Sequence, residues 1–129
     1  MHTNGHSKSI RIAIAGLGNC ASSLIEGLAF YRQNPEESAG LLFPLLAGYS
    51  VRDIELVAAF DVSARKVGCP VNVAMYQPPN NFVRLPEVRV DCSVLVSRGP
   101  TLDGNPEHLA RFVPESPVPP VDAGPSAIT

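Results

Sequence analysis

The chain has 129 residues, a formal net charge of -2 and 45% hydrophobic residues. That length suits one apolar core and excludes a two-domain enzyme, and the dispersed, near-balanced charge argues against capture of nucleic acid or an anionic membrane. No apolar run approaches the ~20 residues of a bilayer-spanning helix, and the polar start Met1 to Ser9 lacks a signal-peptide layout, so a cytoplasmic location is the default expectation.

Residues 1–9, which include His2, His6 and Lys8, read as a disordered start. Ile10 to Ala15 is IRIAIA, short and β-branched apart from Arg11, which predicts a buried central strand. Gly16 to Asn19 punctuates it. From Cys20 to about Arg32 the spacing turns helical, with Leu24, Leu28 and Tyr31 on one stripe beside Ala21 and Ile25. Asn34-Pro35 ends that helix. Ala39 to Gly48 is apolar but broken by Gly40, Pro44 and Gly48; it reads as a loop that packs on a partner or elsewhere on the fold.

Ile54 to Phe60 is the second strand, closed by Asp61, and Ser63 to Val67 reads as one helical turn on the surface. Residues 68–86 carry Pro70, Pro78, Pro79 and Pro86 and read as irregular. Val88 to Val96 alternates apolar and polar, the pattern of a half-buried third strand. Prolines crowd the chain after Gly104, so 105–129 reads as an irregular tail, extended or disordered from about Phe112.

Gly16-Leu17-Gly18-Asn19-Cys20-Ala21 carries the first chemistry. It is G-x-G-x-x-A between a strand and a helix, the context of the dinucleotide fingerprint. Gly16 allows the tight turn, Gly18 lets a pyrophosphate approach the backbone, and Ala21 lets helix and strand pack closely. The free N–H groups at the helix start face the phosphates. Glycines in such a turn also occur for the turn alone.

Asp61 reads two ways. At the end of a second strand, an acid hydrogen-bonds the adenosine ribose and favours NAD over NADP; it also serves as an ordinary strand-end turn residue. It lies about twice as far from the glycines as the ~20 residues of the usual unit. Cys20 at the helix start is a poor nucleophile candidate, with no histidine nearby in sequence. Cys20, Cys69 and Cys92 form no CxxC spacing, so neither a disulfide framework nor a metal site is expected.

Five segments give the sequence a specific resemblance. GLGNCASSL spans Gly16 to Leu24, RDIELVAAFDV spans Arg52 to Val62, then come Lys66-Val67-Gly68, Asn80-Asn81, and RGPTLDG from Arg98 to Gly104. In this order and spacing, from about Ile10 to Gly104, the chain closely resembles the bacterial and archaeal type of inositol-3-phosphate synthase. The resemblance implies NAD as cofactor, glucose 6-phosphate as family substrate, and a redox-neutral route to inositol 3-phosphate for inositol and phospholipid synthesis. It carries over Gly16, Gly18, Asn19, Cys20, Ala21 and Asp61 as cofactor-contacting positions, and Arg98 to Gly104 as a bordering loop. It also accounts for the long insertion before Asp61.

There are departures. Cys69-Pro70-Val71 stands where the family commonly has an Asp-Leu pair, and the proline-rich end matches nothing in the family pattern. The family's further strands and lysine-bearing domain have no counterpart, so no catalytic residue is assigned. The expectation is an α/β fold: a partial Rossmann-like NAD(P)-binding domain over 10–104 with a parallel sheet and a right-handed crossover, followed by a proline-rich irregular tail. Such a chain reads as the amino-terminal NAD-binding part of a synthase, inactive alone. The alternatives are a non-catalytic nucleotide-binding module or a truncated remnant. A strand edge left open and a small core predict weak stability and self-association, either as a homo-oligomer or with a complementing chain.

Overall fold

The computed structural model describes residues 9–121. Two expectations, the disordered start up to Lys8 and the last residues of the tail from Asp122, lie outside the described residues. Three strands, β1 (Ile10–Ala15), β2 (Ile54–Asp61) and β3 (Val96–Arg98), form one parallel sheet in the order β1-β2-β3. That succession is the one found in the first half of a Rossmann sheet. Ile10 pairs with Ile54 and Ala15 with Phe60, with a register shift between Ile12 and Ala13. The expectation that the first two strands lie adjacent and parallel is met.

β1 is not the buried centre that its composition predicts. Ile10, Arg11, Ala13 and Ala15 are exposed. Among the described residues β1 has a neighbour on one side only, so β2 takes the central place. Hydrophobicity marks a strand that suits burial on both sides; it does not supply the second neighbour.

Helix α1 (Asn19–Gln33) follows the glycine turn. Ser22, Ile25, Glu26, Leu28 and Ala29 form its buried face, at helical spacing. Leu24, expected on the core stripe, is 48% exposed. The apolar stripe is rotated toward Ile25 and Ala29. The helix ends where Asn34 caps it, its backbone N–H and its Nδ2 both donating to the Phe30 carbonyl.

The loop 34–50 is held at its base by Arg52, whose guanidinium donates to the carbonyls of Tyr31, Asn34 and Glu37. A capping box between Ser50 and Asp53 then leads into β2. The apolar middle of the loop does not pack: Leu42 is 85% exposed, and Phe43, Leu45 and Leu46 also point outward.

A four-residue helix, α2 (Val71–Ala74), interrupts the stretch expected to be irregular. With Leu17, Ile25, Ala59, Met75 and Val96, its Val71 and Ala74 make the core. The third strand differs from expectation. Val88, Val90, Cys92, Val94 and Val96 face inward and their neighbours outward, as the alternation predicts, but only Val96–Arg98 joins the ladder. The preceding carbonyls instead accept from α2: Val71 N–H donates to Val94 and Asn72 N–H to Cys92. A period of two marks an extended chain with one wet face and cannot say which backbone it pairs with.

The proline-rich segment makes a 3-10 turn at Glu107–Leu109 and then runs without regular structure to Val121, and it is fastened to the sheet. Ser116 N–H donates to the Val62 carbonyl, Ala64 N–H to Pro114, and Val121 N–H to Arg98, each at 2.8 Å. Arg98, nearly buried, pairs with Glu115 at 3.3 Å. Among the described residues no helix is long and apolar enough to cross a membrane.

Candidate dinucleotide-binding site

Parallel sheets of this kind hold ligands at the carboxyl ends of their strands. Three loops leave that end together: Gly16 to Gly18 after β1, Val62 to Gly68 after β2, and Gly99 to Gly104 after β3. Gly16 N–H donates to the Phe60 carbonyl at 2.7 Å and Gly99 N–H to the Asp61 carbonyl at 3.1 Å, so the first and third loops are both tied to the end of β2.

The two glycines are needed for different reasons. Gly16 has φ 89, a left-handed conformation that L side chains rarely adopt. Gly18 sits at φ -86 as the residue before α1, a conformation open to any residue. A Cβ built on Gly18 would meet nothing within 4 Å. Neither the backbone nor the protein's own packing requires glycine at Gly18, whereas a phosphate lying against the backbone would. The first turn of α1 carries no acidic residue, and its leading N–H groups have no intrahelical acceptor. The residues present therefore fit the pyrophosphate of a dinucleotide.

Leu17, between the glycines, is fully buried in the core. Its N–H donates to Asp61 Oδ2 at 2.7 Å. The other oxygen, Oδ1, accepts from the backbone N–H groups of Val62 and Ser63, both at 2.8 Å. One carboxylate thus closes its own strand end and ties it to the glycine turn. The reading of Asp61 as a strand-end turn residue is met, and the same carboxylate stands beside the glycine turn despite the long insertion.

The remaining site positions are placed as follows. Asn19 begins α1, and its side chain forms a reciprocal pair with Asn81, Nδ2 donating to Asn81 Oδ1 and Oδ1 accepting from Asn81 N–H, both at 2.8 Å. Asn19 therefore offers a ligand its backbone more readily than its amide. Cys20 is an exposed free thiol. Ala21 packs against the core, as the fingerprint's last small residue should. In the bordering loop, Arg98 donates to Thr101 Oγ1 at 2.9 Å, and Gly104 N–H closes a turn onto the Thr101 carbonyl.

Sequence reasoning missed two residues. Lys66, expected on a surface turn, is only 4% exposed. Its Nζ donates to the Leu17 carbonyl at 2.8 Å and to Asn80 Oδ1 at 2.9 Å. Burial lowers its pKa, and the nearby Asp61 carboxylate partly offsets that. Asn80 Nδ2 lies within 3.0 Å of the Leu17 carbonyl, Ser22 Oγ and the Met75 carbonyl. The only signal for either was their presence in the resemblance segments, which gave them no role. Among the described residues no group of three or more His, Cys, Asp and Glu is placed to hold a metal ion.

No protein-family model matches the chain. It is 43% identical over 119 residues to inositol-3-phosphate synthase of Mycolicibacterium smegmatis, covering 91% of this chain and 32% of that protein. It is 42% identical over 118 residues to inositol-3-phosphate synthase of Mycobacterium tuberculosis, and 44% identical over 118 residues to that of Corynebacterium glutamicum, each again covering 90% of this chain and 32% of the relative. A solved structure, the crystal structure of Ari2, superposes with a TM-score of 0.67 at 34% identity, over 76% of this chain and 30% of that one. The chain spans about a third of the length of these relatives, an amino-terminal part. With only nine residues before Ile10, a match of 119 residues runs past Gly104. Part of the proline-rich segment therefore does have a counterpart in the relatives, contrary to its reading in the sequence.

Proposed function

We propose that this chain, similar over nine-tenths of its length to the inositol-3-phosphate synthases, is the part of such an enzyme that holds the adenosine and pyrophosphate of NAD. The observation that carries this reading is Gly18, a glycine that neither backbone geometry nor internal packing demands, set before the free amides of α1. Gly16 to Ala21 would receive the pyrophosphate. Asp61, with one oxygen accepting a single N–H, keeps a lone pair for a ribose hydroxyl and would repel a 2′-phosphate. Bound there, NAD would supply the hydride acceptor and donor for conversion of glucose 6-phosphate to inositol 3-phosphate.

The acid–base chemistry of that conversion is not placed among these residues. Lys66 is the one lysine among the described residues, and its Nζ is engaged by Leu17 and Asn80. We therefore expect the chain alone to bind nucleotide without turnover, in a homo-oligomer or with a chain bringing further strands. A second reading, a nucleotide-binding module with no chemistry of its own, draws on the same engaged lysine.

The test is calorimetric titration of ADP-ribose into the chain and into Gly18→Val. The variant should lose at least about tenfold in affinity, since a side chain displaces the phosphate from the amides. Equal binding by both would refute the site.

A further inference from the structure

Lys66 is a buried cation that the nucleotide site as described does not use. Taking an ammonium from water is costly, and the cost is met only where strong acceptors replace it. Its two acceptors are the Leu17 carbonyl and Asn80 Oδ1. Asn80 in turn reaches the same Leu17 carbonyl at 3.0 Å. Leu17 is thereby held at three points: its N–H by Asp61, its carbonyl by Lys66 and Asn80, and its side chain by the core. On both sides stand glycines with open space before them.

Glycines carry the largest conformational freedom, and a ligand that must freeze them binds weakly for that reason. A charge-assisted bond to the peptide between them removes that freedom in advance. We propose that Lys66 is the positioning residue of the glycine turn, acting through the Leu17 carbonyl to hold Gly16 to Gly18 in the form that receives a pyrophosphate. The proposal rests on the nucleotide reading above and assigns Lys66 a part in it; Lys66 itself need not touch the ligand. The lowered pKa of its ammonium, caused first by burial, agrees with a cation kept inside for what it holds.

The test uses the full chain and Lys66→Met, read by amide hydrogen exchange and by titration with ADP-ribose and adenosine. In the variant, exchange at the Leu17 amide should rise about tenfold or more while the β1–β2 ladder stays protected. Affinity for ADP-ribose should fall about tenfold, and affinity for adenosine should hold, because only the pyrophosphate depends on the turn. A purely structural role would lower both affinities together. Unchanged Leu17 exchange with native ADP-ribose binding overturns the assignment and spares the nucleotide site. Local release of Leu17 in a chain that never binds ADP-ribose upholds the grip on the turn and sinks the nucleotide reading. Should Lys66→Met melt the ladder, Asn80→Ala, which removes the other donor to that carbonyl, is measured the same way with the same expectation. Loss of the whole ladder in both variants overturns the positioning role.

Discussion

At the carboxyl end of the sheet, Asp61 accepts three backbone N–H groups, and Lys66 and Asn80 converge on one carbonyl. In the loop before β2, Leu42, Phe43, Leu45 and Leu46 stand 61–85% exposed, beyond a base fixed by Arg52. The first region uses charged and polar side chains, buried or half-buried, to fix a few peptides; the second leaves its apolar side chains in water. Burying polar groups only repays its cost when each one is satisfied, so the first region is specified tightly and its failures should be large. Substitutions in the second should barely touch folding and should act on association instead.

The largest effect is expected from the core under the turn. Met75→Ala, at a fully buried position, should cost about 3 kcal/mol in urea denaturation. Asp61→Ala strands the N–H groups of Leu17, Val62 and Ser63 and should cost about 2 kcal/mol by the same measurement. Gly16→Ala, at φ 89, should cost about 1–2 kcal/mol through backbone strain alone. By contrast, Leu45→Ser with Leu46→Ser should change stability by less than about 0.5 kcal/mol and should reduce self-association in sedimentation velocity. If the serine pair destabilised the chain as much as Met75→Ala, the contrast between the two regions would fail.

The smallest effect concerns pH. Lys66 binds its proton less tightly in the folded chain than the ordinary 10.5 of the unfolded one. The penalty is present in full below the lowered folded pKa. It fades as pH rises from there toward 10.5, because the unfolded chain then holds more protons. The stability of the native chain relative to Lys66→Met should therefore rise over that window, measured by denaturation at stepped pH; a fall would reverse the assigned cause.

Much of this was legible in the sequence. IRIAIA, IELVAAF and the glycine turn between β1 and α1 marked two parallel strands and their crossover, the second strand running one residue further to Asp61, because period and punctuation are local signals. The burial of β1 was not legible, since it depends on a neighbour that composition cannot supply. Nor was the pairing of Cys92 and Val94: alternation gave the correct inward face, while their carbonyls accept from α2, distant in sequence. Asp61 was singled out because an acid after a second strand carries a known chemistry. Lys66 was missed because a lysine within a short turn after a strand reads as solvent-exposed, and only the fold brings Leu17 and Asn80 around it.

On the proposed function, the carboxyl end of the sheet takes the adenosine half of NAD, with Asp61 facing the ribose. The most direct measurement is parallel calorimetric titration of NAD and NADP into the chain. NAD should bind at least about tenfold more tightly, because a 2′-phosphate would meet the Asp61 carboxylate. Equal affinities, or tighter binding of NADP, would contradict that reading.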